Sequence, residues 1–106
     1  MKKQNLVPIR DYLDAHYTEK ISLDELADQF FISKFYLTRV FKEQFGVSVN
    51  TIILNLRITK AKQMLRFTDQ KLEDIGYQCG LCAPYYFSRI FNRVTGITPS
   101  EFQEKW

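Results

Sequence analysis

The chain has 106 residues, enough for one domain with a modest hydrophobic core. Hydrophobic residues make up 45% and charged residues 25%, which excludes a disordered protein, and no apolar run approaches the ~20 residues of a membrane span. The net charge of +3 does not identify a partner, but seven basic residues and one acidic residue lie between positions 30 and 68. This clustering favours a face that meets an anion such as DNA phosphate, with a solvated surface as the alternative.

Apolar residues recur at helical spacing throughout, and no long alternating segment predicts a strand. A first helix carries its apolar face from Ile9 to His16. The bounds of the second, third, sixth and seventh helices are marked by capping residues and glycines, namely Ser22, Ser33, Gly46, Gly96 and Thr98. Ser48 opens a long basic fourth helix, and a short fifth helix follows it. The sequence therefore predicts an all-α fold of seven helices.

An internal repeat organises these helices. Residues 23–27 (LDELA) recur 49 positions later as residues 72–76 (LEDIG). Residues 36–41 (YLTRVF) recur 50 positions later as residues 86–91 (YFSRIF). Each copy is therefore a short helix, a tight turn and a longer helix that ends at a glycine.

The repeat predicts two homeodomain-like subdomains, residues 1–48 and 67–106, joined by a linker helix of residues 49–66. A helical solenoid is the alternative, but two copies are too few to stack a continuous core. Each copy has the pattern of a helix-turn-helix unit. In such a unit, the second helix enters the major groove of DNA and its first residues contact bases.

The side chains opposite the apolar face of each second helix are candidates for these contacts. The predicted base contacts are Lys34, Phe35, Thr38 and Arg39 in the first copy and Pro84, Tyr85, Ser88 and Arg89 in the second. Arginine donates hydrogen bonds to guanine, hydroxyl groups donate or accept hydrogen bonds, and aromatic rings contact thymine methyl groups. The predicted phosphate contacts are Ser33, Lys42, Arg93, Thr98 and Ser100. In the alternative, the two aromatic residues belong to the core and the arginines are merely solvated.

Cys79 and Cys82 form a C-x-x-C pair, which is typical of a redox motif or of half a zinc site. There is no second cysteine pair, and His16 is the only histidine, so cysteine and histidine alone cannot complete a four-ligand zinc site. We expect Cys79 in the core and Cys82 in the turn. With no glycine-rich phosphate loop either, the sequence predicts no enzyme, no metal and no cofactor.

Three segments resemble the AraC/XylS family of bacterial regulators. They are residues 37–42 (LTRVFK), residues 57–65 (RITKAKQML) and residues 75–102, which begin IGYQCGL and end GITPSEF. The resemblance implies seven helices with two recognition helices in successive major grooves of double-stranded DNA. It also implies transcriptional regulation, more often activation than repression, with RNA polymerase as a partner. Family members usually carry a separate sensor or dimerisation domain, which is absent from this chain.

The chain departs from the family pattern around its second turn. Gly76 stands where the family usually has alanine, and Cys82 and Ala83 stand where serine or aspartate commonly caps the helix. Pro84 and Tyr85 replace small polar residues, which affects the base preference expected of the second copy. Because no signal-like apolar stretch follows the first residues, we expect a cytoplasmic, nucleoid-associated protein with no membrane partner. A helical adaptor that binds an acidic protein through the same basic face is the alternative function.

Overall fold

The computed structural model describes residues 4–81 and 84–105, with the backbone alone at Pro84, Tyr85 and Lys105. Over these residues the chain forms seven helices and no strand, so the predicted all-α fold is confirmed there. The helices are α1 (Val7–His16), α2 (Leu23–Gln29), α3 (Lys34–Phe45), α4 (Val49–Phe67), α5 (Leu72–Gln78), α6 (Pro84–Thr95) and α7 (Pro99–Lys105). None of these helices has the length and apolarity needed to cross a bilayer.

The chain divides into two compact units, the first ending at Leu54 and the second beginning at Asn55. Helix α4 begins in unit 1 and continues into unit 2. The predicted subdomain boundaries, at residues 48 and 66, stay a prediction. Within unit 1, α2 packs against α3; within unit 2, α5 packs against α6 and α6 against α7.

Local hydrogen bonds set the ends of several helices. In α3, the Ser33 hydroxyl oxygen accepts a hydrogen bond from the backbone N–H of Tyr36 at 3.0 Å. Before α7, the Thr98 hydroxyl accepts from the N–H of Glu101, and the Glu101 carboxylate accepts from the N–H of Thr98, both at 3.1 Å. This reciprocal pair is a capping box, and it confirms Thr98 as the capping residue predicted from the sequence. Helix α3 ends at Gly46, whose φ of 78° lies in the left-handed region that favours glycine.

Each unit has its own core, and the second helix of each repeat contributes three side chains to it. In unit 1 these are Leu37, Val40 and Phe41, all fully buried. In unit 2 they are Phe87, Ile90 and Phe91, of which Ile90 is the most exposed at 7%. Their i, i+3, i+4 spacing places them on one side of the helix, so the opposite side faces solvent.

A close contact explains why Gly76 stands where the first repeat has Ala27. A Cβ added at Gly76 would lie 3.0 Å from the carbonyl oxygen of Leu81 and 3.0 Å from Cδ2 of Phe87. Leu81 and Phe87 are both buried, and the first of these atoms belongs to the backbone. Neither neighbour moves aside easily, so the glycine permits α5 to approach α6 closely.

Replacing Gly76 with alanine should therefore destabilise the domain, although alanine favours helix. Overpacking a filled core costs about 1–3 kcal/mol, against about 1 kcal/mol gained in helix propensity. We expect a net loss of about 1 kcal/mol in the free energy of unfolding, measured by urea denaturation. The matched control is Ala27→Gly in the first repeat, which should also destabilise, because it loses helix propensity and a buried methyl group without any overpacking. A more stable Gly76→Ala protein would show that the contact is not tight.

Candidate nucleic-acid interface

Helix α3 presents a polar and basic face to solvent. Because Leu37, Val40 and Phe41 are held in the core, the rotation of the helix about its axis is fixed. All four predicted base contacts of the first copy, together with Lys42, are exposed on the remaining surface: Lys34, Phe35, Thr38, Arg39 and Lys42. The structure therefore brings these five predicted residues together on the solvent-facing part of one helix.

Phe35 is 85% exposed, so the alternative that placed it in the core is wrong. An apolar ring of this size gains nothing for folding when water surrounds it. An exposed aromatic ring is able to contact a thymine methyl group or another apolar part of a duplex. The corresponding prediction for the second copy, at Tyr85, concerns a side chain outside the described part of the chain.

Two of the predicted base-contact side chains of α3, Lys34 and Thr38, have partners within the protein. The Lys34 ammonium nitrogen lies 3.7 Å from a carboxylate oxygen of Asp24 on α2, with both side chains at least half exposed. Such an exposed ion pair is weak and leaves the lysine available to a stronger anion. The Thr38 hydroxyl donates a hydrogen bond to the backbone carbonyl of Lys34 at 2.9 Å. With its only proton donated, the Thr38 oxygen acts as an acceptor.

Helix α6 presents the equivalent face in unit 2. Arg89 and Arg93 are exposed and Ser88 is half-buried. A surface depression is lined by Ser88, Arg89, Asn92, Arg93 and Thr98, so it joins the outer face of α6 to the start of α7. Asn92 was missed by the sequence analysis, although its position four residues after Ser88 places it on the same face. Pro84 lies in the first turn of α6, and its side chain lies outside the described residues.

The predicted phosphate contacts lie at helix starts or on the exposed helix faces. Lys42, Arg93 and Ser100 are exposed. The hydroxyls of Ser33 and Thr98 cap α3 and α7 by accepting hydrogen bonds from backbone N–H groups. Capping uses the oxygen as an acceptor and does not consume the hydroxyl proton, so either group retains the capacity to donate to a phosphate oxygen.

Cys79 is fully buried and its thiol lies 3.5 Å from the carbonyl oxygen of Gly76. Burial raises the pKa of the Cys79 thiol, so the thiol is neutral and unreactive at neutral pH. Its core position agrees with the sequence analysis. Cys82 lies outside the described residues, and among those described no group of three histidine, cysteine or acidic residues could hold a metal ion.

We expect the Cys79 thiol to react only when the protein unfolds. In a Cys82→Ser protein, where Cys79 is the single thiol, labelling with a chromogenic disulfide should be at least about a hundredfold slower than in concentrated urea. Duplex binding by this variant should equal that of the unaltered protein. Rapid labelling under native conditions would contradict a buried, structural role for Cys79.

Comparison with known proteins identifies the family. The family described as "Helix-turn-helix domain" matches residues 26–105. The chain is 33% identical over 93 residues to the HTH-type transcriptional activator RhaS of Enterobacter sp. (strain 638), covering 88% of this chain and 34% of RhaS. The C-terminal domain of the two-component response regulator yesN of Fusobacterium nucleatum is 30% identical, with a TM-score of 0.87 over 92% of this chain and 95% of that domain.

A crystal structure from Chromobacterium violaceum, a transcriptional regulator of the AraC-type DNA-binding domain proteins, is 29% identical with a TM-score of 0.83. It covers 94% of this chain and 89% of the other. The chain spans between 34% and 42% of the length of the first curated relatives it matches. The predicted double helix-turn-helix fold is confirmed by these neighbours, which belong to a family of regulators and not of enzymes. These matches show that this chain belongs to the AraC-type family of helix-turn-helix DNA-binding domains.

Proposed function

We propose that the domain binds duplex DNA sequence-specifically and that α3 and α6 are its recognition helices. One observation carries the proposal: on both helices, an arginine and a hydroxyl residue share the solvent-exposed side with a second basic residue about one turn further on. These are Arg39, Thr38 and Lys42 on α3 and Arg89, Ser88 and Arg93 on α6. Such a face supplies base contacts and phosphate contacts together, as groove binding requires.

The early residues of each helix contact bases, since the first turns of a recognition helix reach deepest into the groove. In this assignment the base contacts are Lys34, Phe35, Thr38, Arg39, Pro84, Tyr85, Ser88 and Arg89. Later or flanking residues contact phosphates and set the position of the helix in the groove. These are Ser33, Lys42, Arg93, Thr98 and Ser100.

The hydrogen bond that Thr38 donates limits the base groups that its side chain is able to recognise. Because its proton is donated to the Lys34 carbonyl, its oxygen accepts from the exocyclic amino group of adenine or cytosine in the major groove. Thymine O4 and guanine O6 are acceptors and offer no proton. Arg39, one residue along, donates two hydrogen bonds to guanine N7 and O6.

We further propose that the two recognition helices occupy successive major grooves. Helix α4 runs for 19 residues across the boundary between the units, a length of about 28 Å at 1.5 Å per residue. This length is close to the ~34 Å that separates successive major grooves on one face of the duplex. The domain then binds as a monomer to an asymmetric site of about two turns. Where the spacing of the two helices does not match the grooves, the DNA bends, which costs a free energy of about 1–6 kcal/mol.

The proposal extends to the regulator as a whole. Because the relative from Enterobacter is named a transcriptional activator, we propose activation, with RNA polymerase as a partner, in the cytoplasm. Since this chain matches about a third of that protein, we also propose that a sensor or dimerisation domain accompanies the DNA-binding domain in the full-length regulator.

Selection of bound duplexes from a random pool, followed by competition, tests this function. The domain should enrich one sequence family of about two helical turns, and the enriched duplex should compete far better than a scrambled duplex of the same composition. Salt dependence alone does not suffice, since an adaptor for an acidic protein would also weaken in salt. Equal competition by the two duplexes would refute sequence-specific binding and favour the adaptor.

A further inference from the structure

The turn between α2 and α3 contains a phenylalanine in a conformation that normally requires glycine. Phe31 has a φ of 59° and is the one non-glycine residue with positive φ in the described part of the chain. Its N–H donates to the Asp28 carbonyl at 3.2 Å, and the N–H of Ile32 donates to the Ala27 carbonyl at 3.0 Å. These two bonds define a Schellman motif, in which the left-handed position is usually glycine.

The second repeat has the same motif with the expected residue. Gly80, 49 positions after Phe31, has a φ of 92°. Its N–H donates to the Tyr77 carbonyl at 3.2 Å, and the N–H of Leu81 donates to the Gly76 carbonyl at 2.7 Å. The backbone of the two turns is therefore equivalent, and only the side chain differs. A left-handed conformation costs an L-residue about 1–2 kcal/mol, which glycine avoids.

The Phe31 side chain is too exposed for packing within the domain to offset this strain. The residue is 94% exposed, more than any other large hydrophobic residue described. It lies two residues before the Ser33 cap and four before Phe35, which is itself 85% exposed. Strained conformations that packing does not explain are typical of binding sites.

We propose that Phe31 makes a further contact with DNA, by placing its ring against an apolar part of the duplex beside the subsite of α3. This inference rests on the proposed function of α3. The first turn of a recognition helix lies in the groove, so a side chain on the turn just before it is adjacent to the duplex. The apolar groups available there are the thymine methyl group and the deoxyribose ring.

Stability and affinity should move in opposite directions in a Phe31→Gly protein. Relief of the left-handed strain should raise Tm by about 4 °C. Loss of the ring should weaken binding to the selected duplex about tenfold, as expected when a partly buried phenylalanine is removed. Both changes are measured on the same preparations, by thermal denaturation and by fluorescence anisotropy with labelled duplex.

Two further variants separate the ring from other effects. Phe31→Asn also removes the ring but suits a left-handed backbone without the flexibility of glycine, so it should bind as weakly as Phe31→Gly. Phe67→Ala removes another exposed ring, 76% accessible at the end of α4, and should bind like the unaltered protein. Equal weakening by Phe67→Ala would show that loss of any surface aromatic residue suffices, which overturns the proposal.

Deoxyuridine in place of thymine in the selected duplex distinguishes the two apolar groups. If the ring contacts a thymine methyl group, the substitution weakens the unaltered protein more than it weakens Phe31→Gly, which still has Phe35. If the ring contacts deoxyribose, the substitution weakens both proteins by the same factor. Phe31→Gly that binds as tightly as the unaltered protein would overturn the proposal while leaving the function of α3 intact. Failure of the unaltered domain to discriminate between duplexes would instead refute the proposed function, and this inference with it.

Discussion

Inserting about five base pairs, half a helical turn, between the two subsites of the selected duplex should reduce affinity to nearly that of one half-site alone. The insertion rotates one subsite to the opposite face of the DNA. We propose that helix α4 keeps the two units at a fixed spacing, so that the protein does not follow the rotated subsite as it would with a flexible linker. Because one set of base contacts is lost, we expect a decrease on the order of a hundredfold.

The control is the same five base pairs inserted outside the two subsites, which should leave affinity unchanged. A duplex with one subsite scrambled gives the reference value for a single half. Undiminished affinity for the internally extended duplex would mean that the units move independently or that only one of them contacts bases.

Arg39→Ala should weaken binding to the selected duplex by about 1–3 kcal/mol and relax base preference at one position. The side chain is exposed on α3 beside Thr38, where it can donate two hydrogen bonds to guanine. Without it, all four bases at that position should bind with similar affinity. Anisotropy titrations with four duplexes that differ only at this position measure the effect. Arg89→Ala should do the same at a position in the other subsite.

Lys42→Ala is the matched control on the same helix. Because we assign Lys42 to a phosphate, its loss should weaken all four duplexes equally and lower the slope of log affinity against log salt by about one. An unchanged preference among the four duplexes in Lys42→Ala, with a lost preference in Arg39→Ala, separates the two roles. If Arg39→Ala preserved both affinity and base preference, the assignment of α3 residues to bases would be wrong.

The sequence predicted those parts of the fold that local chemistry determines. Ser33 and Thr98 cap helices because their hydroxyls reach N–H groups only three residues away, and this spacing is visible in the chain itself. The exposed face of α3 followed equally from the spacing of Leu37, Val40 and Phe41. These elements depend on neighbours within one or two turns, so the residues suffice to place them.

Features that depend on distant residues were not predictable in the same way. From the sequence alone, Gly76 is only an unusual residue, because the side chain that a Cβ would meet belongs to Phe87, eleven positions along the chain. The helical pattern places Asn92 on the same face as Ser88, but it does not specify that Thr98, at the start of α7, lines the same depression. The left-handed Phe31 was missed although its repeat partner is glycine, a signal that alignment of the two turns would have revealed.

The packing of each unit also bears on how quickly the domain folds. Helix α2 packs on α3, α5 on α6 and α6 on α7, so these partners are neighbours along the chain. Short connections lose little entropy on closure, and helical proteins with such local contacts fold in microseconds to milliseconds. A ribosome adds about 5–20 residues per second, so each helix pair has time to assemble soon after it emerges. We therefore expect the folding of this domain to keep pace with its synthesis.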